Sequence, residues 1–108
     1  MTQRLSDKHP TEHVVVTFDF TKDLAAGEVL VNGTEVITVT VAEGVDATPN
    51  NIKNGVPTVL AGKVLQPVRD SLDGVDYHLL CTCSTNASPA NKYTLQAILP
   101  SRRKTSPR

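Results

Sequence analysis

Three features of the chain predict an all-β, antiparallel sandwich of six or seven short strands. Apolar residues recur with period two in several short runs, no stretch carries a helical period, and Gly, Pro, Asn and Asp punctuate the runs. At 108 residues the chain can bury one modest core, so a single domain is expected. A small barrel is the alternative closure of the same pattern.

The first element covers residues 13–20, where Val14, Val16, Phe18 and Phe20 alternate with Val15, Thr17 and Asp19. Eight residues of period two mean a half-buried strand. Residues 21–28 are too short for a stable helix and suit a turn or one helical turn. Residues 29–31 then lead into Asn32-Gly33, a tight-turn dipeptide, and residues 35–42 set Ile37, Val39 and Val41 against Val36, Thr38 and Thr40. Residues 43–57, rich in Gly, Asn, Asp and Pro, read as a long variable connection with room for a short edge strand.

Residues 58–61 and 63–69 read as strands broken at Gly62. Pro67 cannot donate to a ladder, which places the second at a sheet edge or gives it a bulge. After the Asp73-Gly74 turn, residues 77–84 point Tyr77, Leu79, Cys81 and Cys83 inward and His78, Leu80, Thr82 and Ser84 outward. Residues 85–91 supply another turn, and Tyr93, Leu95, Ala97 and Leu99 form the inner face of a last strand expected to stop at Pro100. Residues 1–10 and 101–108 lack an apolar pattern. They are expected as a flexible N-terminal arm and a basic flexible C-terminal tail flanking a sandwich domain over residues 11–100.

Composition narrows the function. The only aromatics are Phe18, Phe20, Tyr77 and Tyr93, so the core is mainly aliphatic. Residues 9–100 carry five Lys/Arg against ten Asp/Glu, whereas the tail holds Arg102, Arg103, Lys104 and Arg108. An acidic body repels phosphate backbones, which argues against nucleic acid as a partner. No window approaches a membrane span and the N-terminus has no apolar leader, so neither a membrane nor secretion is expected. Cys81 and Cys83 share one face of a strand, with Cα atoms about 6 to 7 Å apart and poorly aimed for a disulfide, and read as reduced core thiols.

No catalytic constellation is legible, and no cofactor or metal is expected. A nucleophile needs a base and an orienter, and none of the three histidines stands in such a pattern. His9 and His13 lie near the start of the chain. By strand parity His78 points away from Cys81 and Cys83, which disfavours a joint zinc site. Asp70, Asp73 and Asp76 resemble a calcium loop only superficially, because its Gly and distal Glu are missing, and they read as a solvated acidic turn. The Asn-Xaa-Ser/Thr sequences at Asn32 and Asn86 mean little without a secretory route.

Asp73, Gly74 and Tyr77 have the spacing of the tyrosine corner that opens strand F of immunoglobulin-like domains. Such a tyrosine lays its ring on the core while its hydroxyl satisfies a backbone carbonyl upstream. Leu79 stands where an antibody domain has its bridging cysteine. The corner makes the expected sandwich immunoglobulin-like. Arg102, Arg103 and Lys104 form a candidate assembly arm that would order against a partner, and the strand over residues 63–69 offers an edge for a neighbouring subunit.

The segments FDFTKDLAAGE at residues 18–28 and GVDYHLLC…YTLQA at residues 74–97 resemble a family of small tailed-bacteriophage virion proteins with an immunoglobulin-like sandwich, the fibre–tail adaptor or neck-associated proteins. The resemblance covers residues 11–100. It implies a noncatalytic virion structural protein at the neck or tail that bridges connector or tail to fibres. It also implies assembly in the bacterial host cytoplasm, in multiple copies, with other virion proteins as partners. The alternatives are a capsid decoration protein bound to the major capsid protein and, from another class, a host-glycan-binding module. The glycan reading is weakened because all four aromatics fall on expected inward faces.

Overall fold

A computed structural model describes residues 2–102 and shows two antiparallel-dominated sheets packed as a sandwich. Seven strands appear in order: β1 (Thr2–Arg4), β2 (Val14–Asp19), β3 (Val36–Glu43), β4 (Thr58–Leu60), β5 (Lys63–Val68), β6 (Val75–Ser84) and β7 (Lys92–Ser101). A turn of 3-10 helix, Pro49–Ile52, lies between β3 and β4. One sheet has the order β1-β7-β6-β3 and the other β2-β5-β4. Lettered from A to G, these are the C–F–G and B–E–D sets of an immunoglobulin-like sandwich, with the first strand laid parallel against the last.

The period-two reading places the faces correctly except at Val14, expected inward and 37% exposed. Val16, Phe18 and Phe20 line the inner side of the smaller sheet with Val64 and Val68, across the interior from Ile37, Val39, Tyr77, Leu79, Cys81, Cys83, Ala97 and Leu99, all of them buried. Their outward neighbours Val15 and Val36 are each more than half exposed. β6 and β7 pair over ten residues, from Val75↔Ser101 to Ser84↔Lys92, and form the longest ladder. Such alternation makes register strict, because a one-residue slip would turn every one of these side chains to water.

Several local expectations are corrected. The Asn32-Gly33 turn forms, with Thr34 N–H donating to Val31 O at 3.2 Å, but it closes no hairpin. Leu30 bridges Thr85 and Val36 pairs with Thr82, so both flanks of the turn lie along β6. β5 is the middle strand of its sheet, yet Pro67 fits there. Phe20 N–H bonds Gly62 O, which by ladder alternation directs the nitrogens of residues 63, 65 and 67 toward β4. β4 pairs only as far as Thr58↔Leu65, so no ladder bond is needed at Pro67.

β7 runs through Pro100 to Ser101. Pro100 turns toward the N-terminal segment, where its carbonyl accepts Lys8 N–H at 2.8 Å. That segment, expected as a flexible arm, follows β7: Thr2 to Arg4 pair with Gln96 to Ile98, Leu5 N–H donates to Ile98 O, and Arg102 N–H donates to Lys8 O. Ordinary polar side chains hid it, because a parallel edge strand is held by backbone bonds and needs no alternation.

The connection over residues 43–57 holds no β-strand beyond the end of β3 at Glu43. Its 3-10 turn drives Ile52 into the core at 2% exposure. Asn50 Oδ1 accepts Val39 N–H at 3.1 Å and Lys53 Nζ donates to Ile37 O at 3.0 Å, so this loop caps the outer edge of β3.

The β4–β5 hairpin turns on Ala61 and Gly62, with φ of 50° and 80°. Both central residues of this tight turn are left-handed, which a glycine adopts freely and an alanine only at a cost. Ala61→Asn is therefore expected to stabilise the protein by about 1 kcal/mol, read as a higher midpoint in chemical denaturation; an unchanged or lower midpoint would contradict the turn geometry.

Candidate functional site

The polar side chains that sequence singles out, and others that it does not, gather at the two ends of the sandwich. At the end where β6 begins, the Tyr77 ring is fully buried and its hydroxyl accepts Leu72 N–H at 3.0 Å and donates to Asp46 Oδ2 at 2.7 Å. The hydroxyl does bond upstream backbone, but that backbone supplies a donor where a carbonyl was expected, and the hydroxyl proton goes to a carboxylate from another loop. Burial, with Asp46 adding to it, pushes the phenol up to about 12. Gly74, at φ 82°, donates its N–H to Ser101 O at 2.8 Å, while Asp73 stays on the exposed turn.

Beside the corner lies a lysine that sequence reading leaves in a mobile arm. Lys8 is 2% exposed and its Nζ donates to His9 O, Pro10 O and Ser71 Oγ at 3.0 to 3.2 Å. Ser71 Oγ in turn meets Ser101 Oγ at 2.7 Å. All three acceptors are neutral, and desolvation lowers the pKa of Lys8 against the pull of Asp70 and Glu12.

Arg102, expected with Arg103 and Lys104 as a basic assembly arm, turns onto the protein. Its Nη2 lies 2.6 Å from Asp76 Oδ1 in an ion pair without hydrogen-bond geometry, and Arg4 Nη1 lies 3.7 Å from Oδ2. The two arginines cover Asp76, whose side chain is 7% exposed. Arg103 and Lys104 lie outside the described residues.

At the opposite end, Glu28 joins the loop after β2 to the β6–β7 turn. Its Oε1 accepts Ala25 N–H at 2.9 Å and Tyr93 O–H at 3.3 Å, and its Oε2 accepts Thr85 O–H at 2.7 Å and Asn91 Nδ2–H at 2.9 Å. These donors hold the carboxyl down to about 2, the Ala25 amide contributing most. Sequence reading missed this centre because three of its four partners lie 57 to 65 residues away.

The remaining candidates disperse. Asp70 faces His13 at 3.3 Å, far in role from buried Asp76, so the acidic run does not converge. His78 Nε2 meets Gln96 Oε1 at 2.7 Å on the outer face of the larger sheet, opposite to the thiols. Cys81 and Cys83 are free and buried, and desolvation raises the Cys81 thiol to about 12. Among the described residues no cluster of three His, Cys, Asp or Glu is placed to hold a metal ion.

A cleft of about 410 Å³ opens between the N-terminal segment and β2, with Leu5, Val14, Val16 and Leu99 among its walls and Asp7 and Glu12 at its sides. No protein-family model, curated protein or solved structure matches the chain.

Tyr77→Phe strands Leu72 N–H and removes the donor to Asp46, and is expected to cost roughly 2 kcal/mol in denaturant unfolding; a loss within error of zero would show that the hydroxyl ties nothing. Glu28 is depressed in the folded protein, so its contribution is complete above the unfolded value of 4.5 and fades as pH falls toward about 2. Glu28→Gln should lower the melting temperature at pH 7, with the gap to the native chain narrowing below pH 4.5. A gap independent of pH would remove ionised Glu28 as its cause.

Proposed function

We propose that the chain is a noncatalytic bacteriophage virion structural protein at the neck or tail, bridging connector or tail to fibres and present in multiple copies. The observation that carries a structural role is the use made of two polar groups at the ends of the sandwich. Glu28 and Tyr77 each spend their hydrogen-bonding capacity on joining loops of the same chain. Both lie within the two segments on which the resemblance to neck-associated proteins rests. Those segments thus maintain the sandwich, and the contacts with other virion proteins fall to its faces, edges and ends.

Burial of Phe18, Phe20 and Tyr77 and the tethering of the Tyr93 hydroxyl to Glu28 weigh against a glycan-binding role, which uses exposed rings for stacking. Capsid decoration differs from the neck role only in where the domain sits. Gold labelling of an affinity-tagged copy in purified particles, imaged by electron microscopy, is expected to mark the neck or tail. Label spread over the head would replace the proposal with decoration, and particles without label would remove the virion role.

A further inference from the structure

Four strands border the two sheets, and three of them are short or covered. β1 and β4 have three residues each. β3 carries Asn50 and Lys53 on its outer edge and ends in an irregular register between Val41 and Glu43. β2 is different. It runs six residues, Val14–Asp19, with the sequence VVVTFD, and contains no Pro, no Lys and no bulge. Those are the devices by which sheet edges normally avoid pairing with other chains.

Ladder parity identifies what this edge offers. Phe20 N–H bonds Gly62 O on β5, so the even residues of β2 bond inward and Val15, Thr17 and Asp19 direct their N–H and C=O groups away from the sheet. Among the described residues the backbone groups of Val15 and Thr17 have no partner beyond β2's own ladder. Val15 is 54% exposed, and the cleft beside the strand is walled by Leu5, Val16 and Leu99.

We infer that β2 pairs antiparallel with β2 of a second copy of this chain about a two-fold axis, joining two three-stranded sheets into one of six strands. Parity and charge choose the register. Only odd residues can exchange hydrogen bonds, so odd must face odd. With Val16 on the axis, Val15 faces Thr17 of the second copy and His13 faces Asp19. His13 and Asp19 are the only ionisable side chains within residues 13–19, with Glu12 immediately before them, and this register sets His13, which also meets Asp70 of its own chain at 3.3 Å, opposite the Asp19 carboxylate at both ends. Asp19 is held as the carboxylate by the Thr21 hydroxyl and amide. The same arrangement lays each copy's β2 beside the other's open cleft and covers its apolar wall. The inference stands independently of the virion proposal, because it concerns two copies of the purified chain.

Sedimentation of the full chain at high micromolar concentration is expected to give twice the mass of 11.6 kDa. Val15→Lys, which places a charge on the exposed edge, should yield a monomer whose melting temperature equals that of the native chain at concentrations low enough to dissociate the dimer. Register is tested by cysteine exchange: facing Cα atoms in a hydrogen-bonded antiparallel pair are about 5.5 Å apart, within disulfide reach. Val15→Cys mixed with Thr17→Cys should cross-link under mild oxidation, while neither variant alone does so. A native chain that remains monomeric overturns the inference, as does a dimer that survives Val15→Lys or cross-linking as strong in either single variant as in the mixture. A strand from another protein occupying this edge would give the first of those negative results.

Discussion

The hydroxyl of Tyr77 is the point through which one end of the sandwich is organised. Its ring belongs to the core, and its oxygen stands between the Leu72 amide and the Asp46 carboxylate. Asp46 then accepts Thr48 N–H at 2.9 Å, at the start of the 3-10 turn that carries Ile52 into the interior. From that turn Asn50 and Lys53 reach the edge of β3, and the Lys53–Val68 bridge reaches the opposite sheet. A single buried phenol thus fixes a loop whose composition alone suggests a variable surface segment. That loop in turn closes one flank of the sandwich.

The other end uses ionic chemistry for the same purpose. Glu28 gathers four donors from two loops and the start of β7, and Thr85, one of those donors, also accepts Asn91 N–H at 3.3 Å. Antibody domains join their sheets by a disulfide through the middle of the core. Here Leu79 occupies the corresponding position, and the two thiols sit on one strand. The sheets are held by aliphatic packing in the middle and by hydrogen-bonded carboxylates and hydroxyls at the ends.

What sequence made legible follows from how far each signal reaches along the chain. Alternation is local, so the strands containing Phe18, Ile37 and Tyr77 and their inward faces could be read directly. The tyrosine corner was legible because Asp73, Gly74 and Tyr77 lie within five residues of one another. Ile52 was not, being one apolar residue among Asn, Lys and Gly, and neither was Lys8, whose acceptors include Ser71. β1 has no alternation, since its partner supplies the ladder. Arg102 shows the opposite error: read with its basic neighbours it looked like part of a tail, whereas its ion pair with Asp76 is a contact made across the sheet.

The parallel pairing of the first strand with the last has a mechanical meaning. Thr2 to Arg4 run beside Gln96 to Ile98, and the contact continues through Lys8 and Ser101. Tension applied at the two ends of this paired region would pull the strands past each other along their length. The bonds joining them would then be strained together in shear, and could not be peeled apart one at a time. Lys8, buried and fastened to three acceptors, sits where that sliding would have to end. A domain connected to its neighbours through both termini would therefore carry force along the chain through the strand pair that links its own beginning to its end.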